Sequence, residues 1–301
     1  MKDLIIICGP TASGKTKLSI AVAKAFDGEV ISADSMQIYR ELDVGTAKVT
    51  TEEMDGVMHH LIDVVNPDQS FSVAEYVDAA RKAIDDVVSR GKTPILVGGT
   101  GLYVNSLVLG YNFSQTSKNE ALRAELSAYL EENGKDALFA RLKDLAPERA
   151  EKLHPNDTKR VIRALETAMD GQIAPTGGGV DADKVIPCYK AVMIEPPREE
   201  LYARINARVD EMFNNGLEAE VRGAIEKYNL TPDHQSMQAI GYKEWFDYLD
   251  NKATIQDTAE RIKKATRNYA KRQLTWFRKF PQIHIYNELN VEKIIEELQK
   301  S

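Results

Sequence analysis

The stretch Gly9-Pro10-Thr11-Ala12-Ser13-Gly14-Lys15-Thr16 has the spacing G-x-x-x-x-G-K-[ST], which is suited to holding phosphate. Glycines let successive backbone N–H groups converge on phosphate oxygens, and a following helix N-terminus adds partial positive charge. Lys15 supplies a full charge, and the Thr16 hydroxyl is the usual Mg²⁺ ligand of such loops. A chance match in a surface loop would lack the strand pattern before it and the helical pattern after it. ATP or GTP is the ligand the loop first suggests, yet these eight residues specify only the phosphate.

Other residues narrow the chemistry. Asp34 follows the second apolar run, where an open α/β sheet presents its ligand crevice. Its carboxylate can hold Mg²⁺ through water, act as a general base, or cap the following turn. The next buried run ends in Gly98-Gly99-Thr100-Gly101 rather than in an acid. Small residues there would leave room for a bulky group, which is unusual in an ordinary nucleotide hydrolase. Arg204 and Arg208 stand four apart on a predicted helix and can face one anion. Glu200 offers Arg204 a surface partner at the same spacing, and spacing alone favours that pairing.

Basic residues gather at Lys159, Arg160 and Arg163, and again between Arg261 and Lys279. The second stretch holds Lys263, Lys264, Arg267, Lys271, Arg272 and Arg278 without an acid, interleaved with Tyr269, Trp276 and Phe277. Such a composition suits contacts to a nucleic-acid backbone, and equally a charged helix with its apolar face in a core. The pair His59-His60 lacks metal-ligand spacing, and with two distant cysteines no zinc site is expected. His154-Pro155-Asn156-Asp157 reads as a turn and helix cap.

These residues need a scaffold, and the pattern predicts one. Leu4–Cys8 is a continuous apolar run, as in a parallel strand covered on both faces. A helix from Lys15 to Phe26 follows, then a strand from Glu29 to Ala33. Ser72-Val73-Ala74-Glu75 is a capping box opening a helix with Val73, Val77, Ala80, Ile84 and Val87 on one face. Pro94–Val97 is a further strand, so the N-terminal third alternates strand and helix as in a doubly wound parallel sheet. Near Tyr111 the texture changes to charged amphipathic helices, Asn119–Asn133, Lys135–Leu145 and Asp157–Met169. Gly171–Asp183, with three consecutive glycines, reads as a turn or linker. Lys190–Ile194 then returns to strand texture, with mostly helices and a short strand at Ile283–Tyr286 beyond it. The fold class expected is α/β: a P-loop NTPase-like parallel sheet flanked by helices, with a helical insertion domain. Residues 1–113 and 186–301 would form the catalytic core and 114–185 the insertion.

The chain has 301 residues, 43% apolar and 28% charged, enough for one α/β core plus an insertion. A net charge of −7 argues against nucleic acid coating the whole surface but allows a local basic groove. Two distant cysteines make a disulfide framework improbable and point to a reducing cytoplasm. Leu4–Cys8 is too short for a secretion signal or membrane span, so no membrane partner is expected.

The segments GPTASGKT, ISADSMQIYRELDVGTAK, HHLIDV, PILVGGTGLY, LHPNDTKRVIRALE, RINARVDEM, QAIGYKE and YAKRQLTWFRK occur in this order over nearly the whole chain. Together they resemble the tRNA dimethylallyltransferase family. The resemblance implies transfer of a dimethylallyl group from dimethylallyl diphosphate to N6 of the adenosine 3′ of the anticodon. The loop from Gly9 to Thr16 would then grip a departing diphosphate, with Mg²⁺ on Thr16. Asp34 would be the general base, with Thr100 and Arg208 also catalytic. The resemblance assigns tRNA contacts to Asp34, Ser35, Met36, Gln37, Arg123, Lys159, Arg160, Val161, Ile162 and Arg163. It implies a cytoplasmic monomer acting on the anticodon stem-loop. The segment from Ile173 to Asp183 departs from the family pattern, which leaves local contacts there open. A P-loop small-molecule kinase, with Asp34 activating a hydroxyl, is the alternative from the residues alone. An RNA-binding nucleotide switch is a second.

Overall fold

The computed structural model describes residues 3–111, 119–169 and 181–300. The glycine-rich run 177–179 and the expected domain boundary at 113/114 lie outside the described residues. The chain divides into two compact units, Met1–Leu109 with Ile186–Ser301, and Gly110–Val185.

The first unit is built on a parallel six-stranded sheet. Its strands are β1 (Leu4–Cys8), β2 (Gly28–Ser32), β3 (His59–His60), β4 (Thr93–Gly98), β5 (Tyr189–Ile194) and β6 (Ile283–Tyr286), in the order β3-β2-β4-β1-β5-β6. β1 is buried along its whole length, which is why its sequence does not alternate. Ile6 pairs with Leu96 on one side and with Ala191 on the other. β3 escaped the sequence reading because two histidines make a poor strand signal. The pair is held by β2, and His60 Nε2 meets the buried Glu29 carboxylate at 2.7 Å.

Helices cover the sheet. α1 (Lys15–Ala25) follows β1, and α2 (Val73–Ser89) and α3 (Gly101–Val108) flank β4 in sequence. The α2 capping box is formed: Glu75 N–H donates to Ser72 Oγ at 3.2 Å, and Ser72 N–H to Glu75 Oε2 at 2.7 Å. Tyr76 of α2 stacks on Tyr103 of α3 with ring centroids 3.8 Å apart, and its hydroxyl donates to Ser32 O. Such a pair contributes about 0.5–1.5 kcal/mol beyond its buried area.

The second unit is helical. α4 (Glu120–Leu145) contains the two helices expected from sequence, separated at Gly134, whose φ of 79° no helix accommodates. α5 (Thr158–Met169) packs against it, burying Val161 and Leu165 with Leu126, Leu138 and Leu142. After β5 the first unit resumes with α6 (Arg198–Asn214), α7 (Leu217–Tyr228), α8 (Ile255–Phe277) and α9 (Val291–Lys300). α9 closes one face of the sheet, where Ile294 and Leu298 join Ile5, Ile7, Leu18 and Val22 in one core. Among the described residues no helix is long and apolar enough to cross a membrane.

Candidate active site

β1, β2 and β4 all end at one edge of the sheet, and the chain turns there three times. The loop after β1 has Gly9 at φ 138°, Ala12 at 61° and Gly14 at 94°. Ala12 takes a conformation usually left to glycine, at a cost of about 1–3 kcal/mol. Its side chain packs against the buried Leu201, Ile205 and Ala270 of α6 and α8. Among the described residues the backbone N–H groups of residues 12–17 donate no hydrogen bond. These free donors open α1, where an anion is favoured. Lys15 Nζ donates to Pro10 O at 2.6 Å, and the Thr16 hydroxyl makes no hydrogen bond among the described residues.

Asp34 lies two residues beyond β2 and does serve the turn: its Oδ1 accepts from Met36 N at 2.8 Å and Gln37 N at 3.4 Å. Its second oxygen has no hydrogen-bond donor among the described residues. Thr100 ties this turn to the end of β4, its Oγ1 accepting from Ser35 N at 3.0 Å. The glycines after β4 leave less room than their size suggests. A Cβ on Gly98 would lie 2.2 Å from Ala33 O, and one on Gly99 2.2 Å from the Gln273 amide. Protein atoms take the space a Cβ would need at both positions, while both glycines line the cavity described below.

The two arginines separate as their neighbours dictate. Arg204 pairs with Glu200 on the surface. Arg208, one turn later, points Nη1 at Thr11 Oγ1, 3.3 Å away, and burial holds its guanidinium below the usual arginine range. Of the two readings of the basic stretch, α8 supports the charged helix for several residues. Lys263 bonds Asp210 and Glu260, Arg261 pairs with Asp247, Arg278 with Glu195, and Arg267 donates to Asn206. Asp210, Asp247 and Glu195 come from other segments and Glu260 from the turn of α8 before Lys263, so an acid-free stretch was no guide to free charge.

The same helix supplies a site residue that sequence reading missed. Gln273, 5% exposed, accepts from Thr11 N at 3.0 Å and donates to Gly99 O at 2.9 Å, bracing the loop after β1 against the β4 turn. Tyr269 OH also reaches Gly99 O. The one available signal was Gln273 amid basic and aromatic residues, where a neutral amide has no electrostatic use. Gln273→Ala strands the Thr11 N–H, at about 1–3 kcal/mol. Thermal unfolding is expected to shift down by several degrees, with weaker inorganic diphosphate binding by titration. An unchanged midpoint would refute the bracing role.

Thr11, Lys15, Thr16, Asp34, Ser35, Met36, Gln37, Arg208, Tyr269 and Gln273 all line one cavity of about 1160 Å³ within the first unit. The ammonium of Lys15 is pushed down to about 8, first by burial and then by Arg208, with Asp34 pulling upward. Lys15 is therefore charged below that pH and neutral above it. Affinity for inorganic diphosphate is expected to fall as pH rises through about 8, read by calorimetric titration. Stability moves the other way. Unfolded Lys15 titrates near 10.5, so the unfolded chain binds more protons between 8 and 10.5 and stability rises there. A flat affinity to about pH 9.5 would show that Lys15 keeps its proton.

The remaining predicted RNA contacts belong to the second unit. Arg123 Nη2 donates to Glu166 Oε2 at 2.8 Å, and Arg163 meets the same buried carboxylate at 3.0 Å. Arg160 pairs loosely with Asp157, and Lys159 is exposed. Val161 is corrected: at 1% exposure it belongs to the core of that unit, and Ile162 packs partly against the same core. The helical period turns them inward while Lys159 and Arg160 face water.

A family model described as IPP transferase matches residues 37–280. A tRNA dimethylallyltransferase of Thermoanaerobacter sp. is 46% identical over 303 residues, covering 99% of this chain and 96% of that protein. Among solved structures, the full-length tRNA isopentenylpyrophosphate transferase of Bacillus halodurans is 43% identical, covers 100% of this chain and 95% of its own, and superposes with a TM-score of 0.73. A eukaryotic dimethylallyltransferase crystallised acting on tRNA is 30% identical, with a TM-score of 0.75 over 95% of this chain and 73% of its own.

Proposed function

The chain belongs to the IPP transferase family, and on that premise we propose that it prenylates tRNA, moving a dimethylallyl group from dimethylallyl diphosphate to N6 of the adenosine 3′ of the anticodon. The observation that carries the reading is a phosphate loop with six free N–H donors in one cavity with Asp34 and Arg208. As the carbon–oxygen bond breaks, its electron pair passes to the diphosphate, and Lys15, Arg208 and the loop amides stabilise the growing charge. The adenine N6 lone pair, otherwise delocalised into the ring, forms the new bond to the allylic carbon. The free oxygen of Asp34 takes the N6 proton.

Mg²⁺ suits the residues present: the unpartnered Thr16 hydroxyl would hold it alongside diphosphate oxygens and water, and it would neutralise charge on the leaving group. Among the described residues no cluster of three or more acidic, histidine or cysteine side chains competes for it.

The target adenosine must leave its stack to enter such a cavity, so a flipped base is part of the proposal, with Ser35, Met36 and Gln37 as its contacts. Arg123, Lys159, Arg160 and Arg163 would hold the anticodon stem by its shape and phosphates. The proposal has a monomer working in the cytoplasm, where it meets tRNA. Incubation with dimethylallyl diphosphate, Mg²⁺ and unmodified tRNA, followed by nucleoside mass analysis, tests it. An adenosine gaining one prenyl mass is expected; ATP turnover without prenylation would overturn the reading.

A further inference from the structure

Glu220 lies on α7, outside every motif that names the site, yet its carboxylate accepts four hydrogen bonds. Asp43 N and Val44 N donate to Oε2 at 2.7 and 2.6 Å, and Gly45 N donates to Oε1 at 3.0 Å. The fully buried Tyr242 adds its hydroxyl to Oε1 at 2.7 Å. A Cβ on Gly45 would lie 2.6 Å from the Tyr242 ring, so ring and loop are in direct contact. The loop also closes on itself: Lys48 N donates to Asp43 O, Ala47 N to Val44 O, and Thr46 Oγ1 to Leu42 O. Its conformation is thereby determined from residue 42 to residue 48.

That loop presents two carbonyls to Gln37. The side-chain Nε2 donates to Thr46 O at 3.3 Å and to Ala47 O at 3.2 Å. Both amide hydrogens are used, and turning the amide over would set its oxygen against two carbonyls. Oε1 is left, accepting no hydrogen bond among the described residues, on a side chain that lines the cavity. An acceptor can read only a donor. Adenine carries a donor amine at position six, where guanine carries an oxygen.

We propose that Glu220 and Tyr242 are positioning residues that, through the 42–48 loop, lock Gln37 as an acceptor-only reader of the target base; this rests on the tRNA-prenylation reading. The test measures equilibrium binding of two anticodon stem-loops, one with adenosine at the target position and one with purine, which lacks the amine. The unchanged protein is expected to prefer adenosine. Glu220→Ala should lose about tenfold on the adenosine loop and little on the purine loop, with an unchanged KM for the diphosphate. Gln37→Ala should show the same pattern, and the double variant should be no worse than either single one. Tyr242→Phe keeps the ring and removes one of four donors, so the same pattern at about threefold is expected, and it decides the matter if Glu220→Ala does not fold.

Equal losses on both loops, additive losses in the double variant, or a full adenosine preference in Tyr242→Phe would overturn the proposal. If the unchanged protein neither binds nor prenylates the adenosine loop, the functional reading falls and takes this inference with it. If it does both while Glu220→Ala keeps the full preference, only the positioning role falls.

Discussion

Asp34→Asn is expected to slow prenyl transfer by about 10²–10⁴-fold while leaving tRNA affinity within a few-fold of the original. The distinction lies in the two oxygens. Oδ1 caps the turn through Met36 N and Gln37 N, and asparagine keeps an oxygen in that place. What asparagine lacks is a second oxygen able to accept the N6 proton. Single-turnover prenylation followed by mass analysis reads the rate, and filter binding reads the affinity. Asp34→Ala removes the cap as well, so it should lose affinity in addition to rate. Near-normal turnover by Asp34→Asn would assign Asp34 to the turn alone and require another base.

The second large effect is at Lys15. Lys15→Ala removes a positive charge from a loop whose remaining donors are neutral amides and Arg208, bonded to Thr11. A fall of about 10²–10³-fold in kcat/KM for dimethylallyl diphosphate is expected, with a parallel loss of inorganic diphosphate affinity. Lys15→Arg restores charge but should not restore rate, since a planar fork does not fit where Nζ sits 2.6 Å from Pro10 O. Binding of the RNA stem-loop should survive both changes. A diphosphate affinity untouched by Lys15→Ala would mean that the loop holds something else.

Local chemistry was legible without coordinates wherever a few neighbouring residues decide the outcome. The loop from Gly9 to Thr16, the Ser72 capping box, the helix break at Gly134 and the buried β1 strand all follow from short-range sterics and hydrogen bonding. The order of eight motifs along the chain pointed to the family. The sequence by itself therefore determined the scaffold and the glycine-bearing loop that follows β1.

Tertiary structure decided which side chains act together, because helical period tells which residues share a face but not what that face meets. Arg208 rather than Arg204 reaches Thr11. Gln273 braces a loop 262 positions away, and Glu220 fixes one about 176 positions away. Lys263 and Arg278 find acids on other segments, and the Val161 side chain packs into a core. Each of these depends on contacts between distant parts of the chain, and their partners become neighbours only when the sheet and its helices pack.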